Sequence, residues 1–308
     1  MDELRKAGRR AGWRRPVVIA CMRVALVCLV ACLAVPATAQ DRPLPDFQTF
    51  IREARKRLQP DEARQSGYMY VETRREQKLD ASGLATRETV NVFESYPGLP
   101  GEARWERLIA KDGVPVTSSE LARQDRERQE KVMEYVRKRD RDPDKVRAQE
   151  ARKRADEQRE LDEAVDDALR IYEMRMLGRE NVRGHDTIVI SFTPRPNAVA
   201  RTRYGKILRH FAGKAWVSER EYELVRLEGE ALDTVSFGLG LLARVHKGSR
   251  AMFERRKVNG EEWLPASATY TASARVFLVR RMRVGGVSEF ADYRKFTVAT
   301  ETHVAQPK

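Results

Sequence analysis

Short segments of alternating apolar and polar residues recur through most of this 308-residue chain, and they restrict its fold more than any other feature. The period of two is typical of a strand with one buried face, and turn residues separate the segments. Asn259-Gly260 is the strongest hairpin signal. The predicted strands cover residues 68–73, 86–93, 104–109, 170–177, 185–192, 213–217, 222–228, 251–258, 262–270, 276–284 and 289–300. Such a series in hairpin order predicts one large, curved antiparallel sheet or an open barrel.

A short amphipathic helix is predicted ahead of the first strand. Asp46 can cap its N-terminus, and the helix ends before Pro60. Its apolar residues recur at the spacing of one helix face; they are Phe47, Phe50, Ile51, Ala54 and Leu58. We expect Phe47, Phe50 and Ile51 to cover the core of the sheet.

The strand series is interrupted by a highly charged segment without glycine, residues 117–168. It predicts two helices that begin at Thr117 or Ser118 and are separated near residues 140–144. Large apolar positions are sparse, so these helices are either a solvated insertion or an arm that docks on a partner. With the strands, they predict an α+β chain with a charged helical insertion.

The N-terminus is typical of a secretion signal. Arg14, Arg15 and Arg23 precede an apolar run of about 12 residues, which is too short to span a bilayer. Small residues follow, and cleavage is predicted after Ala39. Residues 1–39 are therefore a predicted signal peptide and residues 40–308 a single exported domain, expected in the periplasm. The start at Met1 or at Met22 stays open.

All three cysteines, Cys21, Cys28 and Cys32, lie in this predicted signal, so the processed chain would have no thiol. An alternative is that Leu29-Val30-Ala31-Cys32 is a lipobox and the protein is anchored through Cys32. Cleavage after Ala39 lowers the net charge from +13 to +8, because seven basic and two acidic residues are removed. That charge favours contact with anionic lipid headgroups over any nucleic-acid partner.

No sequence pattern predicts catalysis. The four histidines, His185, His210, His246 and His303, are too scattered for a metal-binding helix. No nucleophile elbow, phosphate loop or dinucleotide fingerprint occurs. We therefore expect a protein that is not an enzyme and has no cofactor, catalytic residue or metal site.

Between residues 235 and 245, glycines alternate with large apolar residues. Glycine weakens a strand and lets a ligand approach the backbone closely. One interpretation is a flexible apolar lip that contacts acyl chains through Phe237, Leu239, Leu241 and Leu242. The other is a buried strand or turn that packs on a helix.

With its signal, N-terminal helix and long meander, the chain resembles the LolA-like periplasmic lipoprotein carriers and outer-membrane lipoprotein-sorting proteins. The passage at residues 213–228, in which a strand ending in an aromatic residue turns back into a strand of the Tyr-x-Leu-Val-Arg type, carries the resemblance further. The resemblance implies a half-open β-barrel, with helices over its mouth and an apolar cavity for acyl chains. It implies a carrier or binding protein for a lipid or acylated protein, with peripheral membrane contact.

Two features depart from that family. The charged insertion is longer than a simple carrier needs, and no residue motif specifies lipoprotein handover. The alternative is an envelope interaction or sensory module, in which the barrel is a scaffold and the insertion docks on a protein partner.

Overall fold

A computed structural model of the protein describes residues 42–100, 102–237, 243–276 and 280–295. The chain divides into Met1–Pro43 and Leu44–Lys308, and the second unit contains every element named below. The predicted signal peptide, its cleavage site and Cys32 lie outside the described residues, so both interpretations of the N-terminus stay predictions.

Thirteen strands are described, all in one antiparallel sheet. They are β1 Tyr68–Leu79, β2 Ala85–Tyr96, β3 Trp105–Lys111, β4 Val114–Pro115, β5 Tyr172–Val182, β6 His185–Pro194, β7 Phe211–Ser218, β8 Leu224–Ala231, β9 Val235–Phe237, β10 Ala243–Val245, β11 Arg250–Val258, β12 Glu262–Val276 and β13 Arg280–Lys295. Eleven follow the order β4-β3-β2-β1-β13-β12-β11-β8-β7-β6-β5, while β10 pairs with β12 and β9. The sheet is open between β4 and β5, which confirms the predicted α+β half-open barrel.

The described residues form five helices: α1 Phe47–Arg57, α2 Asp61–Gln65, α3 Ser118–Arg141, α4 Pro143–Ile171 and α5 Arg203–Leu208. Two start signals act as the sequence indicates. The Asp46 side chain accepts a hydrogen bond from Thr49 N, and the Thr117 side chain accepts one from Glu120 N. No helix in the described part of the chain is both long and apolar enough to cross a membrane.

The helix α1 packs on one face of the sheet. Phe50 is 2% exposed and lies against Ile188, Ile190 and Val217. Phe47 and Ile51, at the predicted helix-face spacing, pack on the same cluster. Burial of this apolar stripe holds a helix that is too short to be stable alone.

The two long helices α3 and α4 connect the opposite edges of the sheet, because they join β4 to β5. Gln124 of α3 exchanges hydrogen bonds with the backbone of Leu108 in β3, at 2.9 and 3.1 Å. The C-terminal end of α4 runs directly into β5 at Ile171, which is fully buried. We call α3 and α4 together the helical arm.

Some predicted boundaries are wrong. The strand placed at residues 170–177 begins at Tyr172, because α4 continues through Ile171. Residues 280–295 form one strand, β13, where strands at 276–284 and 289–300 were predicted. Gly285-Gly286 interrupts the apolar pattern there, but cross-strand pairing with both β1 and β12 overrides that local signal. The short helices α2 and α5 carry too few residues to show a period.

Candidate functional site

The two faces of the sheet differ in what they contact. On β6, Ile188 and Ile190 point to α1, so the intervening Val189 and Ser191 point to the opposite face. On that opposite face the rings of His185 and Trp263 lie 4.6 Å apart, although four strand spacings separate β6 from β12, about 19 Å in a flat sheet. The sheet therefore curls towards this side, which we call the inner face.

One end of the inner face is filled by an apolar cluster. It is made of Val182, Val189, Trp216, Val225 and Trp263. All five side chains are at most 5% exposed. This end of the half-barrel is therefore closed by its own core and offers no room for a ligand.

A charged layer lies next to this cluster. The Glu254 carboxylate, 6% exposed, accepts hydrogen bonds from Arg226 Nε at 2.6 Å and Arg183 Nη2 at 2.8 Å. Burial alone would raise the pKa of Glu254, but the two arginines outweigh it, so its pKa lies below the usual value. Because Arg183 belongs to the β5–β6 turn and Glu254 to β11, this layer ties distant strands together.

Beyond the charged layer the inner face forms a groove of about 630 Å³. Two cross-strand rows line it, each contributed by β6, β7, β8, β11 and β12. The first row is Ser191, Lys214, Glu228, Met252 and Thr269; the second is Thr193, Ala212, Glu230, Arg250 and Thr271, with Leu232 beside it. A volume of this size falls within the range of small-molecule sites.

The groove lining combines apolar surface with two basic side chains, Lys214 and Arg250, and two acidic ones, Glu228 and Glu230. Arg250 pairs with Glu230 at 3.0 Å, and Arg226 lies 3.8 Å from Glu228. Lys214, in the first row, forms no ion pair with any residue that the structure describes. The arrangement suits a ligand with an apolar part and a negatively charged group.

The predicted apolar lip begins beside the groove. Its flanking strands β9 and β10 pair with each other, and β10 pairs with β12 at Ala274–Val276, a few residues beyond Thr271. Leu239, Leu241 and Leu242 lie outside the described residues, and only the backbone of Phe237 is described. The role of these four residues stays a prediction.

The helix-cover residues Phe47, Phe50 and Ile51 do not line this groove. They pack on the outer face, because Ile188 and Ile190 alternate with the residues of the inner face. Sequence reasoning also missed Lys214, Glu228 and Met252. Their only sequence signal is strand alternation, which assigns them to a common face once the register is known.

In the described part of the chain, no cluster of three or more histidine, cysteine, aspartate or glutamate side chains could hold a metal ion. His210 pairs with Asp233 at 2.6 Å between Nδ1 and Oδ1. His185 instead packs on Trp263.

Comparison with known proteins gives only distant similarities. No protein-family profile matches the chain, and no curated protein matches it in sequence. A solved domain named as an outer membrane lipoprotein-sorting protein, from Vibrio parahaemolyticus, is 9% identical with a TM-score of 0.31, over 82% of this chain and 93% of the other. A LolA superfamily protein from Nitrosomonas europaea is 8% identical with a TM-score of 0.28, over 83% and 96%.

The complex of MucA and MucB from Pseudomonas aeruginosa contains a third similar chain, 9% identical with a TM-score of 0.19, over 81% of this chain and 98% of the other. The family that the sequence resembles is thus represented among the matched structures.

Proposed function

We propose that the protein is a non-catalytic binding or carrier protein of the cell envelope, and that its groove takes a lipid or the acyl chain of a lipid-modified partner. The observation that carries the proposal is the groove itself, which is open, about 630 Å³ in volume and set on the inner face of a half-open barrel. The predicted signal peptide supports an exported location in the periplasm.

The lining supports an amphipathic ligand. Met252, Leu232 and Ala212 provide apolar contact, and burial of an acyl chain against them gains about 25 cal/mol per Å². Lys214 lies in the first row opposite Glu228 and forms no ion pair with any described residue, so it can pair with a phosphate or carboxylate of the headgroup. The hydroxyls of Thr269 and Thr271 can donate further hydrogen bonds.

Native mass spectrometry with lipid extraction, on protein purified from an envelope fraction, tests this proposal. We expect co-purifying lipid or acylated peptide, and its loss in Met252→Asp, which puts a charge in the first row. Leu84→Asp is the matched control, because Leu84 is 69% exposed in the β1–β2 turn and does not line the groove. Lys214→Gln should weaken retention of anionic lipids more than that of zwitterionic lipids.

The double variant Leu239→Asp and Leu241→Asp tests the predicted lip separately. A clean apo mass for the wild-type protein, with no lipid uptake on addition, would exclude the carrier. That result would instead favour the second candidate, an interaction or sensory module built on the same scaffold. The closed, filled end of the inner face favours that alternative.

A further inference from the structure

The helical arm carries a charge asymmetry that the groove does not explain. Residues 137–153, which we call the arm tip, have eight basic and four acidic side chains, a net charge of +4. Residues 154–170 of α4 have three basic and seven acidic side chains, a net charge of −4. The arm is therefore basic where α3 meets α4 and acidic where α4 returns to the sheet.

The arm tip begins beside the β2–β3 loop, where Pro100 and Glu102 line a cavity with Lys138 and Val146. Arg128 of α3 donates a hydrogen bond to Pro97 O at 3.3 Å, and from there to Arg141 the helix rises about 20 Å. The two helices contact each other about halfway along this length, since Tyr135 Oη donates a hydrogen bond to Glu150 Oε1 at 2.7 Å. Val146 is 5% exposed.

The positive charges of the arm tip are exposed and partly uncompensated. Arg139, Arg141 and Arg147 each pair with an aspartate one or three residues away, and their side chains stay at least 50% exposed. Arg137, Lys138 and Lys145 are exposed and form no ion pair with any described residue. These last three give the tip its free charge.

We infer that the arm tip docks on an anionic lipid bilayer surface. Protein interfaces are centred on apolar and aromatic side chains, and the one large apolar residue of the tip, Val146, is buried. A bilayer with anionic headgroups requires only basic side chains within a Debye length of its surface. The acidic residues 154–170 of α4 would be repelled by the anionic headgroups. The arm would therefore meet the bilayer with its tip. The inference goes beyond the groove and does not depend on what the groove binds.

Vesicle co-sedimentation of the protein purified from the envelope fraction tests it. We expect binding to phosphatidylglycerol vesicles, little binding to phosphatidylcholine vesicles, and release as salt is raised. The triple variant Arg137→Gln, Lys138→Gln and Lys145→Gln should bind roughly a hundredfold more weakly, since three surface contacts are lost. Glutamine keeps helix propensity, and circular dichroism checks that the arm is intact.

The matched control is Arg126→Gln, Arg220→Gln and Lys247→Gln, three exposed basic residues outside the tip that make no described ion pair. It changes net charge by the same amount and should bind nearly as wild type. Equal binding of both triple variants, or equal binding to both vesicle types, would overturn the inference. Capture of an acidic protein through the tip, with no vesicle binding, would also overturn it.

The two proposals fail separately. Met252→Asp should lose the groove lipid and keep vesicle binding, whereas the tip variant should keep the groove lipid and lose vesicle binding. If vesicle binding followed Met252→Asp instead, the bilayer contact would belong to the groove and the tip would have no role in it.

Discussion

The attachment of the helical arm depends on one buried carboxylate, Asp167, in the last turns of α4. Its side chain is 0% exposed and accepts hydrogen bonds from Arg201 N at 2.9 Å, Thr202 N at 2.6 Å and Thr202 Oγ1 at 2.7 Å. Arg170 pairs with it one helical turn away. The loop before α5 is thereby tied to the arm, and Gly205 is required beside it, since a Cβ there would lie 2.0 Å from Asp167 Oδ2.

Asp167→Ala should destabilise the protein by about 3–5 kcal/mol. The substitution leaves two backbone N–H groups and a hydroxyl buried without their acceptor, at about 1–3 kcal/mol each before water enters the site, and it leaves Arg170 without its partner. Urea unfolding followed by circular dichroism measures the change. The neighbouring Asp166→Ala is the control. Its pair with Arg55, at 2.6 Å, is between side chains 50% and 40% exposed, so the loss should stay below about 1 kcal/mol.

The pH dependence gives a second test of the same contact. Burial alone would raise the pKa of Asp167, but the hydrogen bonds from Thr202 and Arg201 and the charge of Arg170 outweigh it, so its pKa lies below the usual value. A carboxyl with a lowered folded pKa stabilises the protein above its unfolded pKa of about 3.9, and that contribution is lost as pH falls through the folded pKa. The difference between wild type and Asp167→Ala should therefore narrow in acid. Equal stability of the Asp166 and Asp167 variants, or a gap that does not change with pH, would refute this reasoning.

Three other substitutions have clear expected outcomes. Phe50→Ala should cost about 3–5 kcal/mol in urea unfolding and release α1 to limited proteolysis, because it empties a fully packed site. Glu254→Gln should destabilise the protein most at neutral pH and progressively less below about pH 4, because the folded pKa of Glu254 is lowered and its contribution to stability is lost in acid. Unfolding curves across a pH series measure this. A difference in stability between wild type and variant that stays constant with pH would contradict the ion network. Gly213→Ala should lower the stability of the protein by about 1–3 kcal/mol, because the new Cβ would lie 1.8 Å from Glu228 O. Gly229→Ala is the control and should be neutral or slightly stabilising, because the nearest atom to its Cβ is at 4.0 Å. Similar unfolding midpoints for both variants would show that the close approach at Gly213 is relieved.

Local signals in the sequence predict a helix start or a turn well where one short-range interaction determines it. Asp46 and Thr117 begin their helices through a hydrogen bond three residues ahead. Asn259 and Gly260 both have positive φ, 52° and 70°, as a tight hairpin turn requires. The separation of the arm into two helices at Asp142-Pro143 follows from proline at the first position of α4.

Long-range features could not be predicted from those signals. Arg183 and Glu254 are 71 residues apart, and nothing local in either segment indicates the partner. The two rows of the groove depend on the register of five strands, and a shift by one residue would turn Lys214 and Met252 to the outer face. The amphipathic period of α1 likewise predicts a buried face without specifying which side of the sheet receives it.

The sequence by itself determined the strand series, the capped N-terminal helix and the charged arm, because each depends on the conformational preference and periodicity of neighbouring residues. Only the tertiary structure decided that the inner face is closed by a core at one end and open as a groove at the other. The curvature of the sheet and the register of its strands bring together side chains from five strands. The contacts between these side chains arise from packing across the whole sheet. No segment of the chain contains that information alone.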